Sequence, residues 1–358
     1  MNIPVIIIGG GPAGAATALQ LRSRGYECLI LEASATPVRK PGETIPPQSW
    51  HLFKKSGLET LLHHPSHLTC YGNRFIWGDE HPVDKSFFAN TVARGWHLCR
   101  DIFEEQLSAE VTRRGAQYLP GCTVTAANFN NGQWHVTYIA TNKAIQTITC
   151  KFIVDATGRK ARVARKLGIQ RNSLDRLAGI TTCITLPGSI QQFTYLEAVQ
   201  TGWWYAAPLT EKQLVLSFMT DTDLLPATLR SSKDLLQSAA TTTMISELIT
   251  GNAATDTPLT IASAATGYLQ QRSGHQWLAV GDAAYSYDPI SSYGITSALE
   301  SGYYAGHAIA DHLNGDNDAL RAYDWAISTA FSTYLKMLTG QYLQERRWQD
   351  APFWSRRN

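Results

Sequence analysis

Ile6-Ile7-Ile8-Gly9-Gly10-Gly11-Pro12-Ala13-Gly14-Ala15-Ala16, followed by Glu32 at the end of the next apolar run, is the stretch that decides the fold. Val5–Ile8 is β-branched and stops at glycines, which reads as a buried strand. Gly9, Gly11 and Gly14 fit G-x-G-x-x-G. Gly9 allows a tight turn, Gly11 lets backbone approach a pyrophosphate, and Gly14 lets a helix sit close to the strand. The helix expected over residues 13–24 points free N–H groups and a positive dipole end at the phosphates. Cys28-Leu29-Ile30-Leu31 is the second strand, and Glu32 lies where a carboxylate binds ribose hydroxyls. Pro12, Ala13 and Ala33 belong to the same cradle. The glycines alone are a weak signal; strand, helix and Glu32 at this spacing together predict a dinucleotide site.

The totals bound the rest. A chain of 358 residues can hold two domains and bury a large core. With 31 basic and 29 acidic residues the net charge is +2, which argues against a nucleic-acid binder. The six cysteines are scattered without C-x-x-C, so reduced, buried thiols in a cytoplasmic protein are expected. No metal spacing appears, and His63, His64 and His67 read as surface histidines. No basic segment precedes the first apolar run, and no run reaches the length of a membrane span.

A Pro-rich loop follows Glu32 and includes Lys40-Pro41-Gly42-Glu43. A helix is expected over 48–56, short strands over 69–98 and a helix over 100–114. A meander should span 122–126, 134–139 and 144–154, turning at Asn130-Asn131-Gly132. Consecutive strands over 179–186, 192–198, 203–209 and 213–219 indicate an antiparallel sheet. A helix over 231–250, a strand over 257–266, a short strand over 277–280 and a mostly helical C-terminus complete the pattern. Pieces of the nucleotide domain thus alternate with two insertions.

Gly281-Asp282-Ala283-Ala284-Tyr285-Ser286-Tyr287-Asp288-Pro289-Ile290-Ser291-Ser292-Tyr293-Gly294-Ile295 distinguishes between nucleotide classes. It resembles the downstream motif of the p-hydroxybenzoate-hydroxylase-fold flavoproteins, which include aromatic hydroxylases, flavin-dependent halogenases and geranylgeranyl reductases. The resemblance implies an α/β fold: a Rossmann-like FAD-binding domain, an inserted antiparallel-sheet substrate domain and a helical C-terminus. The implied boundaries are 1–68, 98–168 and 276–313 for FAD, 69–97 and 169–275 for the sheet, and 314–358 for the tail. Noncovalent FAD is the implied cofactor, with O2 and a transient NAD(P)H or another reductant. Asp282, after Gly281, would bond a ribityl or ribose hydroxyl. Pro289 would lie near the isoalloxazine edge. Gly294 and Ile295 would present N–H groups to the pyrimidine end, where the helix over 295–313 stabilises negative charge. Asp155-Ala156-Thr157-Gly158-Arg159 resembles the middle motif, so Thr157 and Gly158 join the diphosphate site. By the same resemblance Arg100 touches FAD, Val124 meets adenine, and Lys40, Gly42 and Glu43 run along the flavin. Asp288 is either a solvated loop carboxylate or a group near the reaction.

The halogenase motif W-x-W-x-I-P is missing; its nearest counterpart is Gly202-Trp203-Trp204-Tyr205-Ala206-Ala207-Pro208. Lys85 is read as solvated. The G-W-W-Y-x-A-P-L segment and the tail Glu345-Arg346-Arg347-Trp348…Pro352-Phe353-Trp354 resemble flavoproteins that mature cysteine tryptophylquinone amino-acid oxidases of the glycine- and lysine-oxidase type. This implies a monooxygenase that hydroxylates a tryptophan in a precursor protein, its partner. Two alternatives stand beside it: a hydroxylase or halogenase of a small aromatic, and an FAD-stabilised assembly factor. No catalytic acid or base is identified; Asp288, Trp203, Tyr205 and Glu43 are the weak candidates. Trp203, Trp204 and Tyr205 should alternate across a sheet, with core packing or a flavin-facing role for each. The tail either packs on its own chain or presents Trp348, Phe353, Trp354 and arginines to a partner.

Overall fold

Val5–Ile8 is buried along its whole length, and that burial explains its apolar run: it is the centre of a six-stranded sheet. The sheet runs Ser273–Gly274, Trp277–Ala279, Phe152–Asp155, Val5–Ile8, Cys28–Leu31, Gln117–Leu119. Every pairing is parallel except the Ser273–Gly274 hairpin edge. Phe152–Asp155 flanks Val5–Ile8 on one side and Cys28–Leu31 on the other. The chain therefore reverses its order at the C-terminal end of Val5–Ile8, where α/β sheets open a ligand crevice. The computed structural model describes residues 3–37, 44–89, 92, 94–249, 254–255 and 257–357.

The meander forms as Thr123–Asn130, Gln133–Ile139 and Ile145–Cys150. Asn131 (φ 49°) and Gly132 (φ 78°) supply the two left-handed residues of its first turn. The run expected as one strand over 144–154 is two. Ile145–Cys150 pairs antiparallel in the meander, and Phe152–Asp155 enters the parallel sheet.

A second sheet orders Ala254–Thr255, Leu177–Thr185, Gln213–Asp221, Gly202–Pro208, Phe193–Val199, Gly72–Ile76 and Val83–Ser86, and Thr260–Ser263 also pairs with Leu177–Thr185. Its strands are antiparallel except for Phe193–Val199 against Gly72–Ile76. That parallel pair joins the two insertions into one sheet. The helix expected over 231–250 is broken into Ser232–Ala239 and Met244–Leu248. Three successive threonines favour the break. Glu197, only 3% exposed, fixes it by accepting N–H bonds from Thr243, Met244 and Ile245 at 2.6–2.9 Å.

The long helix Gly294–Leu313 packs on the first helix, Pro12–Ser23. A Cβ on Gly302 would lie 2.8 Å from the Ala16 Cβ, and one on Gly306 2.9 Å from the Thr17 carbonyl. Small residues thus bring the two backbones together. The C-terminal helix Ala319–Tyr342 follows, and the tail then folds back. Phe353 and Trp354 are fully buried among Trp77, Trp203 and Tyr342. The Trp354 indole N–H donates to the Val199 carbonyl at 2.9 Å. Arg356 and Arg357 pair with Asp221 and Asp223. Of the two readings of the tail, the structure has the self-packed one. No helix among the described residues is long and apolar enough to cross a membrane.

Candidate functional site

The first turn is built from backbone geometry. Gly9 has φ +111°, open to glycine and costly for other residues, and its missing Cβ leaves room for the Ala156 carbonyl. Gly14 leaves room for the Gly9 carbonyl. A Cβ on Gly11 meets nothing within 4 Å, so that turn faces open space. Gly10, outside the motif, is held free of a side chain by the Tyr118 ring, at 2.8 Å. The Glu32 carboxylate accepts the Gly10 N–H at 2.6 Å and the Ser34 N–H at 2.8 Å. One bond to each oxygen leaves acceptor capacity for ribose hydroxyls. Ala33 follows Glu32, and the Glu32 carbonyl accepts the Cys122 N–H, which ties the start of the strand Thr123–Asn130, where Val124 lies, to this loop.

The middle turn is organised by Asp155, which is fully buried. One oxygen accepts the Thr157 N–H and hydroxyl, the other the Val163 and Ala164 N–H groups, all at 2.6–3.0 Å. Burial pushes this carboxyl up. Its bonds shape the turn that leaves Gly158 facing open space. Arg159 then joins this turn to the third motif. Its guanidinium donates to the Ala265 and Tyr287 carbonyls at 2.6 and 2.8 Å and pairs with Asp282 at 3.2 Å. Arg100, at the start of the helix Arg100–Arg113, is 8% exposed and pairs with Glu104 at 2.7 Å.

In the third motif Gly281 has φ +55°, and its N–H donates to Ser301 at 2.8 Å. A Cβ there would lie 2.7 Å from the Ala13 Cβ. Asp282 is therefore pinned beside the start of the first helix, next to Pro12 and Ala13. Gly302 meets Ala13 and Ala16 and Gly306 meets Thr17 and Gln20, so the two helices run parallel. Gly294 then lies two turns further out, ~12 Å at 1.5 Å per residue. A Cβ on Gly294 meets nothing within 4 Å, and Ile295 continues the helix. Open glycine turns at 11 and 158, a half-exposed Asp282 between them and Gly294, and a second helix start beyond match an extended dinucleotide: phosphates, polyol chain, ring. The residues present fit FAD. Lys40, Gly42 and Glu43 lie outside the described residues.

Beside this crevice, and sharing Gly281 with it, lies an open groove of about 1040 Å³. Gly281, Ile290 and Ser291 form its motif end; Ser297, Glu300 and Tyr304 its helical wall; Asn73, Phe75 and Lys85 its sheet floor. Tyr293 donates to Glu300 at 2.7 Å. Neither Glu300 nor Tyr293 was legible as a site residue, because one helical carboxylate and one loop tyrosine carry no spacing signal. Lys85 is exposed, as read, but its place is in the groove.

Other expectations change. Trp203 and Tyr205 face one side of the strand Gly202–Pro208 and Trp204 the other, as alternation requires. All three are buried. Trp203 bonds Tyr342, Trp204 packs on Phe218, and Tyr205 bonds Thr44 at 2.9 Å. Asp288 is 1% exposed, which overturns the solvated-loop reading; burial pushes its carboxyl up to about 6. It caps the turn Pro289–Ser291 by accepting the Ile290 N–H at 2.9 Å. His67 is buried, not a surface histidine: it accepts the Cys99 N–H at 3.1 Å and pairs with Gln106. It thereby fixes the turn into Arg100.

The geometry defines an FAD-type dinucleotide fold, and the comparisons identify it. The FAD binding domain family matches residues 2–329, and the chain belongs to that family. LodB of Marinomonas mediterranea, named as an FAD-dependent oxidoreductase, is 29% identical over 360 residues, covering 99% of this chain and 96% of its own. The flavin-dependent halogenase otaD of Aspergillus carbonarius is 24% identical over 376 residues, covering 96% of this chain and 75% of its own. Among solved structures, the myxobacterial chondrochloren halogenase CndH superposes with TM-score 0.92 at 22% identity, over 99% of this chain and 86% of its own. The peptidyl tryptophan dihydroxylase QhpG superposes with TM-score 0.80 at 21% identity, over 100% of this chain and 79% of its own. The chain is thus an FAD-dependent oxidoreductase enzyme, with a fold shared with flavin-dependent halogenases.

Proposed function

We propose that this protein hydroxylates a tryptophan in a partner polypeptide, the precursor of a quinoprotein amino-acid oxidase. The groove carries this reading. Along the C-terminal helix Trp325, Thr329, Thr333, Met337 and Gln341 line it at every fourth position. That stripe is ~24 Å long, enough for about seven extended residues. Trp325 is 71% exposed and Met337 69%, so the wall is open along its length. An open, mixed polar and apolar wall suits a polypeptide better than a free phenol, which a small closed pocket would hold. The fold shared with the peptidyl tryptophan dihydroxylase QhpG points the same way.

The division of labour is part of the proposal. Residues 1–68, 98–168 and 276–313 hold FAD, with the glycine turns, Glu32 and Asp282 as ligands. Residues 69–97 and 169–275 supply the groove floor. FAD held by these residues would, when reduced, supply oxygen-transfer chemistry with O2. The start of the long helix at Gly294 stabilises negative charge on the ring. Phe75, Trp77 and Tyr304 hold the indole; Glu300, fixed by Tyr293, is an acceptor for its N–H.

A second reading, halogenation of an aromatic, is favoured by Lys85 on the groove floor and by the halogenase relatives. Co-expression of the candidate precursor with and without this protein separates the two. Added oxygen on one precursor tryptophan supports the first. An unmodified precursor, with halide-dependent turnover of a small aromatic, supports the second.

A further inference from the structure

Asp288 lies where three parts of the chain meet. Its Oδ1 accepts the Ile290 N–H at 2.9 Å and its Oδ2 the Tyr342 hydroxyl at 2.8 Å. Its own N–H donates to the Tyr334 hydroxyl at 2.6 Å. The Tyr342 oxygen in turn accepts the Trp203 indole N–H at 3.1 Å. Asp288, Tyr334 and Tyr342 are buried, and Trp203 is fully so. Among the described residues the turn Pro289–Ser291 has short-range bonds of its own: Ser291 donates to the Asp288 carbonyl at 2.8 Å, and Ser292 N–H to the Pro289 carbonyl at 3.0 Å. Tyr334 and Tyr342, 46 and 54 residues further on, tie that turn to the C-terminal helix. Trp203 ties the same tyrosine to the sheet.

We propose that Asp288 is a positioning residue for the flavin-facing turn, and that Tyr342 and Tyr334 make the C-terminal helix a latch on the FAD site. The physical reason is cost. A buried carboxylate that loses a donor, or a buried indole N–H that loses its acceptor, is left partly unsatisfied. The least costly arrangement keeps all four groups bonded at once, and that holds Pro289 and Ile290 in one place. Phe353 and Trp354 pack on Tyr342 and brace it from behind, with ring centroids 6.3 and 6.0 Å away. The tail thus acts on the flavin site without touching it.

The proposal rests on the FAD placement above. The test uses the purified full chain with its FAD and the variants Tyr342→Phe and Asp288→Asn. A latch predicts a shifted visible flavin CD band and FAD binding weaker by about tenfold, at unchanged far-UV CD. Tyr334→Phe should move both readouts in the same direction. A merely structural role predicts a lower Tm with flavin CD and FAD affinity as in wild type, and that result would overturn the latch. If Tyr342→Phe does not fold, Asp288→Asn decides by the same readouts; it keeps the side chain's shape and the acceptor for Ile290. Wild-type protein that binds no FAD would overturn the cofactor placement and the latch with it. None of these readouts uses a substrate, so the latch stands or falls apart from the tryptophan reading.

Discussion

At the residue scale, single polar groups at fixed places carry the proposed cofactor binding, and buried ones set the pH response. Asp282 is half-exposed and paired with Arg159. Replacing it by alanine removes a charge-assisted bond and should weaken FAD binding by about 1.5–3 kcal/mol. Gly11→Val should do more damage by filling the open turn. Fluorescence titration of FAD checks both, and wild-type affinity in both variants would refute the assignment. His97, 1% exposed, is held by burial at about 3, well below the ordinary histidine value. The unfolded chain takes up that proton first, so this group withdraws stability as pH falls from about 6.5 toward 3. The loss is on the order of 1.4 kcal/mol per pH unit. Asp288, raised to about 6, has the opposite sign: its native state takes up a proton first as pH falls through 6, which adds relative stability. The two nearly cancel near pH 5. His97→Gln should therefore be relatively more stable at pH 4.5 than at pH 7 when set against wild type. Urea unfolding at both pH values reads the difference; parallel pH profiles for the two proteins would contradict it.

At the element scale the same substitution has opposite consequences on two helices. Gly302→Ala drives a Cβ against Ala13 and Ala16 and should destabilise by about 1–3 kcal/mol while lowering FAD affinity. Gly340→Ala lies in the exposed C-terminal helix with nothing within 4 Å, and should stabilise by about 0.5–1 kcal/mol. Thermal melts with FAD titration measure both; equal shifts would contradict the close-packing argument. The tail is a packing element here. Trp354→Ala should cost about 3–5 kcal/mol. Deletion from Arg346 onward should lose fold and FAD together rather than precursor binding alone, as FAD content and far-UV CD of the truncated chain will show. The elements themselves were largely legible. The glycine spacing marked the first turn, and the four strands expected over 179–219 stand within two residues of the observed ones, while the strand expected over 257–266 shrinks to Thr260–Ser263. What escaped was contact between distant residues. Glu197 breaks a helix 46 residues downstream, and Arg159 bridges to Tyr287 across 128 residues. Tyr342 reaches Asp288 from the C-terminal helix. No local pattern encodes such pairs, so Asp288 reads as either a loop carboxylate or a group near the reaction, and Glu300 not at all.

At the scale of the whole molecule, two layers face each other across the flavin motif. The parallel sheet and its two close-packed helices form the proposed dinucleotide site. The larger sheet and the C-terminal helix open a groove beside it, and the tail closes the far side. The central claim is that this groove delivers a polypeptide tryptophan to the flavin. The most direct test incubates the purified, FAD-loaded protein with a reductant, ¹⁸O₂ and the precursor's tryptophan-containing segment. Parallel reactions use free tryptophan, and bromide with a phenol. Tandem mass spectrometry should find ¹⁸O on one tryptophan of the segment, with free tryptophan unchanged and no brominated product. An unlabelled segment alongside oxygenated or brominated small aromatics would contradict the account.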